Sequence, residues 1–149
     1  MNTTDDLRSI KIDSFLPHAP DKVWRALTEP DLMARWLMVP TDFKLAVGQQ
    51  FTFQGIPVPR VNFDGIAHCE VLAFEAERML CIRWGDREKT LLNSTVTWRL
   101  EPESDGTHLF MEHAGFDPES AMQQMSRKIM SGGWLSISQR LTELLDAQE

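Results

Sequence analysis

The stretch from Asp117 to Ala147 constrains the fold more than any other part of this chain. Its apolar residues Met122, Met125, Ile129, Ile137, Leu141 and Leu144 recur at steps of three, four or eight, the spacing of one helix face. Asp117 is expected to cap the free amides, Pro118 is tolerated at the first helical position, and Glu119 sets negative charge against the positive end of the dipole. Gly132-Gly133-Trp134 interrupts the middle. Each glycine costs about 1 kcal/mol relative to alanine, whereas burying each Met, Ile or Leu stabilises by about 1.5–3 kcal/mol. Such a helix forms when it packs against another surface, and a curved antiparallel sheet made by the rest of the chain is expected to provide one. The space between sheet and helix is then the expected functional site. Glycines at the middle of the helix would leave room beneath it or let it bend, with Trp134 packed alongside.

The preceding residues fit that expectation. Residues 1 to 6 are polar and expected to fray. Leu7 to Leu16 alternates as a first strand, which Pro17-His18-Ala19-Pro20 stops. Pro20 opens a short helix to Thr28 with Val23, Trp24 and Leu27 on one face, and Asp31 opens another with Leu32, Met33, Trp36 and Leu37. After Pro40 the pattern becomes a meander of short alternating segments. Gly55 to Arg60 carries two prolines and reads as an edge or a loop, since neither can donate to a ladder. Strands are expected over Val61–Phe74, Met79–Trp84, Leu91–Leu100 and Thr107–Phe116, with turns at Glu75–Arg78, Asp86–Lys89 and Pro102–Gly106. Neither a repeat nor a linker divides residues 1–149, which read as one domain with a core from about 8 to 146.

Strand parity sorts the side chains. Leu92, Val96, Trp98 and Leu100 alternate with Asn93, Thr95, Thr97 and Arg99, so the even residues face inward. By the same test Leu80, Ile82 and Trp84 face in, as do Leu109, Met111 and His113. A four-residue loop at Glu75–Arg78 pairs Leu80, Ile82 and Trp84 with Ala73, Val71 and Cys69. Cys69 and Cys81 then lie on opposite faces as free thiols. A six-residue loop between Leu100 and Thr107 sets Ser94 opposite His113, within hydrogen-bond reach.

A net charge of −7 without clustered Lys and Arg argues against nucleic acid and an anionic membrane surface. No apolar run approaches the roughly 20 residues that span a bilayer, and the start lacks a secretory pattern, so the cytoplasm is the expected compartment.

Val23-Trp24 with Leu27 and Trp36, Gly65 opening a long strand, Leu80 and Trp84 in the next, the run from Thr107 through His113 to Gly115-Phe116, and Gly133-Trp134 in the last helix form an ordered set. In that order and spacing the chain resembles, from about Ile10 to Leu145, the SRPBCC superfamily of helix-grip folds, related to START lipid-transfer domains and the birch-pollen allergen. Within it the chain looks like the heat-shock protein 90 ATPase activator homologue group. The resemblance implies an α+β fold in which a curved antiparallel sheet, two short helices and one long C-terminal helix enclose a cavity. Function does not follow, because the superfamily hosts lipid carriers, cyclases and oxygenase domains. The two prolines near the cavity mouth and Gln49-Gln50 after Gly48 depart from the family pattern.

Five tryptophans and eight methionines favour an apolar pocket in such a fold. Its expected lining is Trp36, Phe51, Phe53, Arg60, Cys69, Trp84, Trp98, Met111, His113, Met125, Ile129, Gly133 and Trp134, with Gln54 as a further polar group. Binding of a small hydrophobic or aromatic molecule, without a cofactor, is the leading expectation. The chaperone-activator resemblance implies a second, an interaction protein presenting Ile56–Pro59 and Leu37–Pro40. A cyclase or hydrolase using His113 or Arg60 is the third. His113 and Ser94 are the only candidates for nucleophilic chemistry, and no orienting carboxylate or nucleophile elbow accompanies them, so a structural histidine takes precedence. His18, His68, His108 and His113 have no metal-ligand spacing, and Asp13, Asp64, Glu70 and Glu112 fall mostly on the outward face.

Overall fold

The computed structural model describes residues 7–87 and 92–147; the expectations for residues 1 to 6, for Glu88 and Lys89 and for Leu91 lie outside this range. The first strand, β1 (Ser9–Leu16), leads into α1 (Pro20–Thr28) and α2 (Pro30–Trp36). Each helix has a proline in its first turn, where the missing amide is not needed, and extended Glu29 separates them. The meander follows as β2 (Val39–Thr41), β3 (Gln50–Gln54), β4 (Ile66–Glu75), β5 (Met79–Gly85), β6 (Asn93–Glu103) and β7 (Gly106–Ala114), and α3 (Ala121–Ala147) closes the chain. One curved antiparallel sheet of order β1-β7-β6-β5-β4-β3-β2 results, with its inward face gripped by α3: an α+β helix-grip fold.

Four local features differ from the sequence reading. β4 begins at Ile66 instead of Val61, because Pro57 and Pro59 hand the chain to a closed loop. Val58 and Phe63 exchange two backbone hydrogen bonds across that loop, Pro59–Val61 form a 3₁₀ turn, and Asn62 is left-handed at φ +59°. Gly65, at φ +97°, ends it where an added Cβ would sit 3.2 Å from Pro57. In the β4–β5 ladder Cys69↔Trp84 and Val71↔Ile82 pair as expected, but a bulge at Leu72 sets Leu80 opposite Phe74 and Cys81 opposite Ala73.

The β6–β7 hairpin turns over Ser104-Asp105 alone, with Ser104 at φ +52° and Glu103↔Gly106 closing it. His113 therefore pairs with Val96, not Ser94. The slip is two residues, one side-chain period, so every side chain keeps its face. Finally, α3 begins at Ala121 and its cap is Ser120, whose Oγ accepts from Gln123 N at 3.2 Å and whose carbonyl accepts from Gln124 N at 2.9 Å. Asp117 instead orders the preceding turn, its carboxylate accepting from Glu119 N at 2.9 Å.

The core joins the inward rows of β5, β6 and β7 to Trp134, Ile137, Leu141, Leu144 and Leu145 of α3. At the far end of α3, Lys22 Nζ donates to the Leu145 carbonyl at 2.8 Å and places positive charge at the helix C-terminus. Among the described residues no helix is long and apolar enough to cross a membrane.

Candidate functional site

The helix periodicity separates a core stripe from a cleft stripe. At about 100° per residue, Trp134, Ile137, Leu141 and Leu145 stack toward the sheet, while Ser126, Ile129, Gly133 and Arg140 occupy the adjacent flank. This flank, with Met130 and Ile137, forms one wall of a cleft of about 470 Å³. Leu37 and Met38, between α2 and β2, and Val39 at the start of β2 form a second wall, and Ile56, Val58, Val61 and Phe63 of the proline loop form a third. Trp84 and Trp134 line the cleft with ring centroids 5.6 Å apart. The volume suits a small organic molecule, and the lining is apolar save for Gln54, Ser126 and Arg140. Arg140 is oriented by its Nε, which donates to the Trp36 carbonyl at 3.2 Å.

Behind the two tryptophans lies a closed polar network. Trp134 Nε1–H donates to His113 Nδ1 at 3.0 Å, and His113 Nε2 lies 2.8 Å from Ser94 Oγ. An indole N–H only donates, so Nδ1 is the acceptor and the ring proton resides on Nε2, directed at Ser94. The Ser94 hydroxyl in turn donates to the Trp84 carbonyl at 2.7 Å. His113 is 0% and Ser94 2% exposed. Burial pushes the His113 pKa down from 6.5 to about 3, so the ring is neutral at physiological pH. A serine nucleophile would need to donate its proton to the imidazole. Here the imidazole donates to the serine, and neither group lines the cleft, so the geometry opposes nucleophilic chemistry by this pair.

The structure brings four of the thirteen expected cavity residues to the cleft: Trp84, Ile129, Gly133 and Trp134. Phe51, Phe53, Trp98 and Trp36 lie in an aromatic chain with neighbouring centroids at 5.3 Å (Phe51–Phe53), 5.5 Å (Phe53–Trp84), 6.0 Å (Trp98–Trp134) and 6.3 Å (Trp36–Trp98). They pack on one another and fill the core. Only about 10 Å³ remains in the nook that Trp36, Trp98, Met111 and Trp134 share. Cys69 and His113 are likewise buried away from the cleft.

Two expectations fail outright. Arg60 is exposed in the 3₁₀ turn and is not among the residues that line the cleft. Met125 is 45% exposed, because nine residues from Trp134 is about half a helical revolution away. Gly132 and Gly133 are both exposed, with open space where a Cβ would be; Gly133 borders the cleft and Gly132 does not. The residues missed as lining, Leu37, Met38, Val39, Ile56 and Val58, were legible as exposed apolar segments, but nothing local showed that both segments border one cleft.

Fold and site together define an α+β helix-grip domain with an apolar cleft beneath its carboxy-terminal helix. The chain belongs to the family described as Activator of Hsp90 ATPase homolog 1-like protein, whose model matches residues 17–146. It is similar to the crystal structure of protein MLL2253 from Mesorhizobium loti, with 35% identity and a TM-score of 0.82 over 95% of this chain and 99% of that one. CalU16 from Micromonospora echinospora is 29% identical, with a TM-score of 0.72 over 93% of this chain and 76% of that one. The Aha1 dimer from Colwellia psychrerythraea shares the fold, with a TM-score of 0.72 over 93% of this chain and 96% of that one, at 16% identity. No curated protein matches the chain.

Proposed function

We propose that this protein, a single cytoplasmic domain, binds a small hydrophobic or aromatic molecule in the cleft between Trp84 and α3, and performs no bond chemistry on it. The observation that carries the reading is the cleft itself: about 470 Å³ of largely apolar space with two tryptophans at its wall. Such a surface gains from desolvation and from stacking on an aromatic guest. Titration with 2-naphthol, followed by tryptophan fluorescence, tests it. Saturable quenching is expected in the wild type and weakened quenching in Gly133→Leu; a folded protein with no saturable response to 2-naphthol or decanol overturns the reading.

A second reading, a chaperone-binding role in keeping with the family description, is favoured by one observation. Ile56 is 82% and Val39 55% exposed, and both border the same cleft, so an apolar rim faces solvent. Stimulation of the ATPase of the cognate Hsp90-type chaperone, lost in Ile56→Asp, would support it, and inertness in both stimulation and pull-down would remove it.

A further inference from the structure

The apolar cleft continues into a second, larger groove of mixed chemistry. This groove, of about 820 Å³, shares Val61, Phe63, Trp84, Ser126 and Met130 with the cleft. Its other walls set Ile66, Leu92 and Met122 beside six polar side chains. Thr52 and His68 form a cross-strand pair on β3 and β4, and Asn62, Asp64, Asp86 and Arg87 border the same space.

The polar groups restrict what can lie there. The His68 ring and the Thr52 hydroxyl have no hydrogen-bond partner among the described residues, so an apolar guest covering them would leave both desolvated and unpaired. Among the described residues that border the groove the two carboxylates offset Arg87, leaving no cationic excess to hold a phosphate or carboxylate. Each carboxylate also has an oxygen engaged by a backbone amide, Asp64 by Ile66 N at 3.0 Å and Asp86 by Leu92 N at 2.9 Å. What remains is a mixed set of donors and acceptors. Hydroxyl groups, which both donate and accept, match such a set.

Resting on the binding role proposed above, we infer that the ligand is an amphiphile. Its aromatic or aliphatic body fills the cleft, its uncharged hydroxyl-bearing end lies in the groove, and the crossing point is at Ser126 and Met130.

Calorimetric titration of the full chain with 4-methylumbelliferone, its β-glucoside and its phosphate tests this, because the three probes share one aromatic body. The glucoside is expected to bind about tenfold more tightly than the other two, the scale of one or two well-made hydrogen bonds. His68→Ala and Asn62→Ala should remove most of that preference and leave 4-methylumbelliferone unchanged, and His68→Gln should restore part of it. Circular dichroism checks that the variants are folded. Equal binding of glucoside and parent, or tightest binding of the phosphate, overturns the amphiphile inference while the cleft-binding role stands. If none of the three binds and 2-naphthol also fails, the binding role falls and the inference falls with it.

Discussion

Trp134 on the long helix donates its indole proton to His113 Nδ1 on β7 at 3.0 Å, a side-chain hydrogen bond that fastens the helix to the sheet from inside the core. The same bond sets the imidazole tautomer and, through Ser94 and the Trp84 carbonyl, links both tryptophans of the cleft to one network. The protein's most suggestive catalytic pair thus holds one wall of the cleft in place.

Acid should weaken this fastening. The folded pKa of His113 is lowered by burial to about 3, against 6.5 in the unfolded chain, so its contribution to stability is complete above pH 6.5. It is then lost by about 1.4 kcal/mol per pH unit as the pH falls from 6.5 toward 3, because only the unfolded chain takes up the proton. Urea unfolding at pH 7, 5 and 4 should show this slope in the wild type and a flatter one in His113→Gln. Parallel curves would refute the assignment.

Trp134→Phe keeps a ring at the cleft and removes only the donor to His113 Nδ1. A buried acceptor left unpaired costs about 1–3 kcal/mol, which urea midpoints at neutral pH will register. In the wild type the Trp134 indole N–H should exchange slowly with deuterium, as a buried, bonded proton does.

The two helix glycines separate by function. A Cβ at either meets nothing within 4 Å, so Gly132→Ala and Gly133→Ala should each stabilise the helix by about 1 kcal/mol. Gly133→Leu projects into the cleft and should weaken 2-naphthol binding, whereas Gly132→Leu should not. Calorimetry of both against thermal stability distinguishes the two positions.

Thiol counting gives different answers in native and unfolded protein. Cys69 is buried and burial pushes its thiol pKa well up, whereas Cys81 is partly exposed, 3.4 Å from the Thr97 hydroxyl. One sulfhydryl should react with an aromatic disulfide reagent in buffer, and two in denaturant. Two fast native reactions would contradict the burial of Cys69.

Gly106 closes the β6–β7 hairpin where an added Cβ would strike the Leu16 carbonyl and the Phe15 ring. Gly106→Ala should destabilise by about 1–3 kcal/mol, measured by thermal unfolding, because backbone is the obstacle.

Much of the fold is written locally. Alternation of apolar residues gave each inward row, from Leu80 to Trp84, from Val96 to Leu100 and from Leu109 to His113, and prolines and charged turns divided the elements. These features survive register errors: the hairpin slip at Ser104-Asp105 moved His113 from Ser94 to Val96, yet the period of two kept both inward residues on one face, and their side chains still bond. The bulge at Leu72 left no such trace, since no Gly or Pro marks it.

Sequence alone thus determined the element types, the inward faces and the presence of a long carboxy-terminal helix, because each depends on periods of two or 3.6 residues and on turn chemistry between neighbours, and the family resemblance implied the helix-grip class. Tertiary structure decided which apolar side chains fill the core and which border open space. Trp36, Phe53 and Trp98 looked like pocket residues and became core, while Met38, Val39 and Ile56 border the cleft. That assignment depends on the rotation at which α3 docks and on where the proline loop folds back. Both are set by contacts between segments far apart in the chain, so no local pattern encodes them.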